Sequence, residues 1–438
     1  MKFEFENTLV PAEEIETIGR KLESYQKHLN EVVAAADYSS PESSINLPDD
    51  SGIRDSVTEL ANEKTKNGLS YLVVVGIGGS NLGTEAVSEA LGGYYNKLLS
   101  NSHPSVLFLE TTDSRYMESL FQILNKVNSA SEILICVVSK SGTTTETVAN
   151  ASLLTDKLFE KFGEVAKERL VAITDPDSSL ASVAREEGFS LLEIPKVVGG
   201  RYSVMSAVGL FPLACLGFDI EKLHAGAREM RDRSLSQTDN PAMHSAIMLA
   251  HHYEEGCRIH DTFIFDPSFE YLGKWYRQLL AESIGKRMDR DGNERRIGYT
   301  PTVSIGSTDL HSVGQLTLGG PRDKITTFVS RDLGSEEFDI PTSGAFSGLT
   351  QGRTLEEVLE ALIRGAESAY VKSGLPFLSC TLESVDEFEI GAFMQWKMLE
   401  VMYLGELLNV NAFDQPEVES YKKATRSILE NGQETQGQ

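Results

Sequence analysis

The sequence is poor in cysteine and contains no long apolar run. Four cysteines occur in its 438 residues, far apart in the chain, so we expect reduced thiols and no disulfide framework. The longest apolar stretch, 204–218, is shorter than the ~18 residues that span a bilayer and contains Ser206 and Pro212, which favours a buried helix. The N-terminus lacks the charged-then-apolar order of a signal peptide. The sequence therefore predicts a cytoplasmic protein.

Basic residues are also scarce. The 40 Lys and Arg residues are outnumbered by 65 Asp and Glu residues, which gives a formal net charge of −25 at pH 7. A surplus of this sign repels nucleic acids and anionic membrane surfaces, so neither is an expected partner. It also repels anionic small molecules, and any phosphate site must then be positive locally. A lysine or arginine beside a glycine-rich turn is for this reason especially informative.

The chain is long for a single hydrophobic core, and its pattern predicts an α/β fold with two domains. Strand-like segments alternate with helical ones, which is typical of parallel sheets flanked by helices. The expected strands lie at 71–75, 105–109, 133–138, 171–174 and 190–194, and in a smaller unit at 262–265, 301–304 and 325–329. The expected organisation is an N-terminal helical segment and linker at 1–50, a large domain at 51–236, a smaller domain at 237–390 and a helical C-terminal arm at 391–438.

The most informative stretch is the hydroxyl-rich segment 139–147, which reads Ser-Lys-Ser-Gly-Thr-Thr-Thr-Glu-Thr. It follows the apolar run Ile133–Val138 and opens into helix-compatible sequence, so its hydroxyls, Lys140 and Gly142 lie at a strand-to-helix turn. Such a turn directs backbone N–H groups and the positive end of a helix dipole at one point. This arrangement predicts a phosphate site. The alternative is a helix that is merely capped by one of these hydroxyls.

A glycine-rich turn at 76–83 follows the first strand of the expected sheet. With Glu110 at the end of the next strand it suggests a dinucleotide-binding fold, but Asn81 stands where that fingerprint has glycine or alanine. Two such turns, at 76–83 and 139–144, at the carboxyl ends of parallel strands could converge on one phosphate monoester at a topological switch point. A phosphate monoester is the favoured ligand, and a dinucleotide is the alternative.

Two further segments each contain a charged residue whose sequence neighbours indicate a functional role. Arg201 follows a glycine pair and precedes an apolar helix, where burial is costly without an anionic partner. Gln278 and Glu282 are one turn apart on an expected helix that ends at Gly285, so the carboxylate could act as a general base beside an amide. The alternatives are a structural salt bridge for the arginine and a solvated glutamate.

The remaining candidates have plain structural alternatives. His311 lies at the start of an expected helix, where histidine can be a structural donor. The segment 413–422 fits a capped helix, with Asp414 as the cap and Pro416 in the first turn. Four residues cluster in the sequence without a common zinc spacing, and we expect neither a metal nor a cofactor there: His251, His252, Cys257 and His260.

Taken together and in order, these segments resemble those of glucose-6-phosphate isomerases, also called phosphoglucose isomerases. The resemblance covers about residues 50–425 and is to the short bacterial form. It implies two sugar-isomerase (SIS-type) domains, each a parallel sheet flanked by helices, and a C-terminal arm that wraps a partner subunit. It also implies that glucose 6-phosphate and fructose 6-phosphate are interconverted through a cis-enediolate, in glycolysis and gluconeogenesis. The enzyme would be a homodimer with shared active sites and no cofactor.

The resemblance implies a role for particular residues of this chain. Glu282 is the expected base that moves a proton between C1 and C2, and Arg201 is expected to stabilise the enediolate. His311, which in the family comes from the neighbouring subunit, and Lys422 are expected to assist ring opening. The expected substrate-binding residues are Ser80, Ser139, Ser141 and Thr144 with the backbone of Gly79 and Lys140 at the phosphate, and Gln278 and Gln415 at the sugar hydroxyls.

The chain departs from the family pattern beside two of these segments. Lys196 stands where an acidic or small residue is usual, and Glu417 stands where Gly or Ala is usual, which leaves local loop packing and the charge around Lys422 open. Two other functions also stay open. One is a broader isomerase that accepts mannose 6-phosphate. The other is a non-catalytic sugar-phosphate sensor, which would need the hydroxyl turns but not Glu282, Arg201 and Lys422 together.

Overall fold

A computed structural model describes residues 1–95, 104–334, 338–343, 346 and 348–431 of the protein. Its strands are β1 (Lys2–Glu4), β2 (Tyr71–Val75), β3 (Ser105–Leu109), β4 (Ile133–Val138), β5 (Leu170–Thr174), β6 (Ser190–Glu193), β7 (Ile259–Ile264), β8 (Lys286–Met288), β9 (Glu294–Ile297), β10 (Thr300–Ile305), β11 (Lys324–Arg331) and β12 (Phe377–Leu382). Its helices are α1 (Ala12–Ala35), α2 (Ser51–Thr65), α3 (Leu82–Gly92), α4 (Ser114–Lys126), α5 (Thr145–Phe162), α6 (Ser179–Glu187), α7 (Ala207–Cys215), α8 (Ile220–Ser234), α9 (Pro241–Glu254), α10 (Glu270–Ile284), α11 (Gly314–Gly319), α12 (Leu355–Ser373), α13 (Glu387–Leu407) and α14 (Glu419–Asn431). None of these helices combines the length and the apolar character needed to cross a membrane.

The first sheet is parallel throughout and has the strand order β3-β2-β4-β5-β6, as the α/β pattern predicts. Every residue of β4 is buried, which explains its unbroken apolar sequence, because helices cover both faces of a parallel sheet. The chain leaves β2 toward β3 on one side and later returns to β4 on the other, so β2 and β4 flank the switch point. Val75 pairs with Val137 across this pair of strands. The turns that follow β2 and β4 therefore begin side by side at the carboxyl edge.

The second sheet has the order β1-β12-β11-β7-β10. Strands β7, β10, β11 and β12 are parallel, and β1 is antiparallel to β12. The sequence patterns identified β7, β10 and β11 but neither β1 nor β12. Residues 2–4, expected to belong to a helical segment, pair instead with residues 379–381. A strand of three residues has too few side chains to show an alternating pattern, and its partner is distant in the sequence.

Two segments that the sequence presented as peripheral are buried. The expected linker before residue 50 contains a 3₁₀ turn, Ser43–Asp49, in which Ile45 and Leu47 are fully buried. Within the expected C-terminal arm, α13 is buried from residue 389 to residue 405 and packs on α8 and α9. The linker and the inner half of the arm are therefore part of the core. Of the expected arm, α14 lies on the surface and exposes Tyr421, Ile428 and Leu429.

Helix α10, which carries Glu282, is fixed to α13 by buried polar groups. The Tyr276 hydroxyl donates to Oε1 of Glu400 at 2.6 Å, and the other carboxylate oxygen accepts from Lys397 Nζ at 2.9 Å. Lys397 and Glu400 are both fully buried, and burial lowers the pKa of Lys397. Because each buried charge has a partner, this network gives α10 a defined position against the core.

Candidate functional site

The glycine turn after β2 lies directly against the Gly-Gly-Arg segment. A Cβ atom added to Gly79 would lie 2.2 Å from the carbonyl carbon of Gly200, so glycine is needed at position 79 for the two backbones to approach. Ser203 Oγ donates to the Gly200 carbonyl at 2.7 Å and to the Gly79 carbonyl at 3.3 Å. This contact places Arg201 next to the turn that carries Ser80.

The hydroxyl turn, residues 139–144, is held by its own side chains. The amide of Gly142 donates to Ser139 Oγ at 3.1 Å, and the Ser139 and Thr144 hydroxyls are also 3.1 Å apart. Gly142 has φ +70°, in the left-handed region that favours glycine. The amide of Thr143 donates to Ser141 Oγ at 3.2 Å. These bonds hold three of the predicted phosphate ligands, at positions 139, 141 and 144, in one short loop.

The first turn of α5 is open toward this loop. The helix begins at Thr145, and the Thr144 side chain in the N-cap position makes no capping hydrogen bond. The first amides of a helix have no partner within the helix and carry the positive end of its dipole. The merely capped helix is therefore disfavoured, and amides and hydroxyls converge where an anion can bind. Burial lowers the pKa of Lys140 at the same turn, although Asp175 opposes the shift.

Asn81 argues against the dinucleotide alternative. Its side chain is fully buried, and Nδ2 donates to Oε2 of Glu110 at 2.7 Å. In dinucleotide-binding folds a small residue occupies this place in the glycine turn, and the acidic residue after the second strand binds a ribose hydroxyl. Here the larger Asn81 occupies the position of the small residue, and its side chain binds the carboxylate of Glu110 that would otherwise be available to a ribose.

Arg201 is the centre of the polar contacts at this site. It is 2 % exposed, and its pairing with Glu282 supplies the anionic partner that burial of a guanidinium requires. The contacts join three segments that are distant in the sequence. Its five hydrogen bonds run from Nε to Ser283 Oγ (2.7 Å), from Nη1 to Glu282 Oε2 (3.3 Å) and Gln415 Oε1 (2.9 Å), and from Nη2 to the carbonyls of Ala412 (2.6 Å) and Asp414 (3.1 Å).

Glu282 lies in the last turn of α10 with its side chain 35 % exposed, so a small molecule can reach the carboxylate. Its Oε2 faces Arg201, and its Oε1 accepts from Gln278 Nε2 at 3.1 Å. A carboxylate bonded through both oxygens does not fit the solvated alternative. Gln278 Oε1 is buried without a hydrogen-bond partner among the described residues, which leaves an acceptor for a ligand hydroxyl. The amide packs on Gly78, where a Cβ would lie 2.8 Å from Gln278 Nε2.

Comparison with known proteins decides the family of the chain, because the sequence profile of the phosphoglucose isomerases matches residues 57–437. The chain belongs to the phosphoglucose isomerase family. The glucose-6-phosphate isomerase of Carboxydothermus hydrogenoformans is 36% identical over 368 residues, which cover 82% of this chain and 78% of that protein. A solved Thermus thermophilus structure, described as a hypothetical protein, aligns with a TM-score of 0.85 at 30% identity and covers 98% of this chain and 100% of its own. The Chlamydia trachomatis glucose-6-phosphate isomerase shares the fold, with a TM-score of 0.81 at 19% identity over 99% of this chain and 89% of that one.

His311 is not bonded to the carboxylate of Glu282 in the part of the chain that the structure describes. It ends a 3₁₀ turn, Thr308–His311, after β10 and is exposed. No hydrogen bond or ion pair within the described ranges links it to Glu282 or Arg201. Hydrogen bonds within this chain thus join Arg201, Glu282, Gln278 and Gln415, and among the described residues His311 is not bonded to them.

Helix α14 lies over the hydroxyl turn. Lys422, on this helix, forms an ion pair with Glu419 at 2.8 Å, and Arg426 follows one turn later. Both cations line a cavity together with the hydroxyl turn, which is the expected phosphate end of the site. Arg426 was not recognised from the sequence. The cavity between helix and turn measures about 180 Å³ and is lined by Ser141, Thr143, Thr144, Thr145 and Glu146 on one side and by Glu419, Tyr421, Lys422, Thr425 and Arg426 on the other.

The sequence patterns also did not predict a role for two residues near Glu282, which are Ser283 and Lys286. Ser283 Oγ accepts from Arg201, and Lys286 Nζ donates to the carbonyl of Glu282 at 2.6 Å and to that of Asp414 at 2.9 Å. The available signal was the lysine that directly follows the helix-ending Gly285, because such a side chain can turn back to the last carbonyls of the helix.

The two departures from the family pattern lie on the surface. Lys196 is exposed and pairs with Asp177 at 3.2 Å. Glu417 is exposed. Burial lowers the pKa of Lys286, and the negative charge of Glu417 opposes part of that shift.

The histidines and cysteine that cluster in the sequence do not converge in space on a metal. His252 Nε2 donates to the Thr8 carbonyl at 2.7 Å, and His260 Nε2 lies 2.9 Å from Thr327 Oγ1. In the ranges that the structure covers, no group of three or more His, Cys, Asp or Glu residues is arranged to hold a metal ion.

Proposed function

We propose that this protein interconverts glucose 6-phosphate and fructose 6-phosphate in the cytoplasm, as an aldose–ketose isomerase without a cofactor. The observation that carries this proposal is the guanidinium of Arg201, which bonds both the carboxylate of Glu282 and the amide of Gln415. A fixed positive charge beside a reachable carboxylate suits removal of a weakly acidic C–H proton. The names of the relatives, glucose-6-phosphate isomerases, give the same reaction.

In the proposed mechanism the phosphate is held first. The hydroxyl turn, the first amides of α5 and Arg426 of α14 form its site, since a doubly charged group needs both donors and positive charge in a protein of net charge −25. The proposed ligands are the side chains of Ser80, Ser139, Ser141 and Thr144 and the backbone at Gly79 and Lys140. Binding at the phosphate orients the reacting carbons, which lie at the other end of the sugar.

Proton transfer follows ring opening. We assign His311 and Lys422 to the opening step, which needs a donor at the ring oxygen and a base at the C1 hydroxyl. Glu282 then takes the proton from C2 and returns it to C1, while Arg201 stabilises the negative charge of the cis-enediolate. The free acceptor of Gln278 and the amide of Gln415 are placed to orient sugar hydroxyls.

The first experiment measures conversion of fructose 6-phosphate to glucose 6-phosphate by the purified protein in the presence of EDTA. Turnover supports the proposal. Turnover of mannose 6-phosphate with a similar kcat/KM would favour the broader isomerase. Tight binding of either phosphosugar without turnover would favour the sensor and contradict the proposal.

The phosphate site can be tested by substitution in the hydroxyl turn. We expect Ser141→Ala combined with Thr144→Ala to raise KM for fructose 6-phosphate by about 10- to 100-fold, with a smaller change in kcat, because each lost bond to a charged group weakens ground-state and transition-state binding alike. A matched control is Ser152→Ala with Thr155→Ala, farther along α5, which should leave KM unchanged. An unchanged KM in the turn variant would place the phosphate elsewhere.

We also propose that the active enzyme is a homodimer in which each site receives His311 from the partner. Two observations support this: among the described residues His311 is not bonded to Glu282 of its own chain, and α14 exposes Tyr421, Ile428 and Leu429 on one surface helix. Burial of such an apolar stripe against a second copy would be favourable.

Shared sites predict complementation between two inactive variants. After subunit exchange between Glu282→Gln and His311→Ala, each mixed dimer has one site with both wild-type residues, so an equimolar mixture should regain about one quarter of wild-type kcat per site. If both residues act within one chain, no site is restored. Initial rates before and after exchange, with the dimer verified by light scattering, distinguish the two arrangements.

The division into sugar-isomerase domains remains our proposal. We place the boundary near residue 237, since the strands of the first sheet precede it and β7, β10, β11 and β12 of the second sheet follow it. The strand β1 is the exception, because it returns the N-terminus to the second sheet.

A further inference from the structure

Lys286 connects the end of α10, which carries Glu282, to the loop that carries Gln415. It is the first residue of β8, directly after the end of α10, and its side chain is 4 % exposed. Its Nζ donates to the carbonyl of Glu282 at 2.6 Å and to the carbonyl of Asp414 at 2.9 Å, and it lies 3.6 Å from Asp414 Oδ1. One ammonium group therefore ties the last turn of α10 to the loop that precedes Gln415.

The same loop is also bonded to Arg201. The Asp414 carbonyl accepts from Arg201 Nη2 at 3.1 Å as well as from Lys286. The position of Gln415 relative to Glu282 thus depends on two cations that share one acceptor. Arg201 itself contacts the carboxylate, whereas Lys286 contacts only the main chain of Glu282 and the residue Asp414.

We propose that Lys286 is a positioning residue of the isomerase reaction, which sets the distance between the carboxylate of Glu282 and the amide of Gln415 without contacting the sugar. This inference rests on the proposed function. A displacement of about 1 Å between a base and a substrate-orienting group lowers turnover strongly, whereas binding at the distant phosphate is unaffected. The proposal therefore predicts an effect on kcat rather than on KM.

The charges around Lys286 make the contact sensitive to pH. Burial and the neighbouring Arg201 lower its pKa to about 8, against the opposing effects of Asp414 and Glu417. The contact with Glu282 is through its main-chain carbonyl. The ammonium form has a charge and three donors, whereas the neutral amine has no charge to pair with Asp414. Deprotonation should loosen the loop, so kcat should fall as the pH rises through this pKa.

The test compares Lys286→Met and Lys286→Arg with the wild-type protein, using fructose 6-phosphate turnover from pH 6 to pH 10. We expect Lys286→Met to lower kcat by about 10- to 100-fold with KM changed less than about threefold. Lys286→Arg should recover most of kcat and lose the decline near pH 8, because a guanidinium stays charged. The exposed Lys372→Met is the matched control and should behave as the wild type.

A second arm tests the charge effect without altering Lys286. Glu417→Gln removes a negative charge that raises the pKa of Lys286, so the alkaline decline in kcat should move to lower pH. Wild-type kcat in Lys286→Met would overturn the inference, and so would an unchanged pH profile in both Lys286→Arg and Glu417→Gln. If circular dichroism shows that Lys286→Met does not fold, the pH profiles of Lys286→Arg and Glu417→Gln test the inference without it. An inactive wild-type protein would instead contradict the proposed function itself, and the inference with it.

Discussion

Replacing Glu282 by glutamine is expected to lower kcat for fructose 6-phosphate by a factor of about 10² to 10⁴, with KM changed less than about threefold. The amide keeps the shape of the side chain but cannot take the proton from C1 of fructose 6-phosphate, or from C2 of glucose 6-phosphate in the reverse direction. The variant should still fold, because the hydrogen bond between positions 278 and 282 can be kept. If the amide of Gln278 rotates by 180°, its Oε1, which has no partner among the described residues, can accept from the new amide at position 282. Arg201 can continue to donate to the remaining oxygen.

The measurement is steady-state kinetics in both directions, together with thermal unfolding to establish that the variant is folded. Glu270→Gln is a suitable control, since Glu270 lies at the other end of the same helix and pairs with Lys274 at 2.7 Å. It should retain wild-type kcat. Normal turnover in Glu282→Gln would remove the base from the mechanism, and equal losses in both variants would indicate damage to α10 rather than loss of a proton acceptor.

The first sheet and its turns could be predicted because their signals are local. The strand β4 is a continuous apolar run, and the loop that follows it concentrates hydroxyls around Gly142. Both features are determined by residues that are adjacent in the sequence, so they are visible without knowledge of tertiary contacts. The helix that carries Gln278 and Glu282 was also predictable, since its apolar residues recur at helical spacing and Gly285 follows its end.

The missed features depend on contacts between distant segments. The pairing of β1 with β12 joins segments that are far apart in the sequence, and α13 is buried although it carries Glu389, Lys397 and Glu400. The expected arm followed from the family resemblance, and the burial of these charges is explained by their partners, such as the pair of Lys397 and Glu400. The role of Asp414 was missed for the same reason. The sequence suggested it only as the cap in the alternative of a capped helix, whereas its main-chain carbonyl accepts from Arg201 and Lys286.

The largest combined effect on stability and turnover is expected for Arg201→Lys. A lysine keeps the charge but has three donors at one point, whereas the guanidinium reaches five acceptors in a fixed plane. Buried acceptors such as the Ala412 carbonyl would lose their partner. Each such loss costs about 1–3 kcal/mol, so we expect the free energy of unfolding to fall by about 2–4 kcal/mol.

Turnover in Arg201→Lys should fall by about 10³-fold, because the charge that stabilises the enediolate is displaced and Gln415 loses its donor. Urea unfolding and fructose 6-phosphate kinetics on the same preparation measure both effects. Arg231→Lys is the matched control: Arg231 is similarly buried and bonds the Ile45 carbonyl and Asp49, away from the site. It should lose comparable stability and keep its kcat. Loss of turnover in both variants would mean that instability alone explains the effect, whereas a stable and active Arg201→Lys would show that the reaction does not depend on this guanidinium.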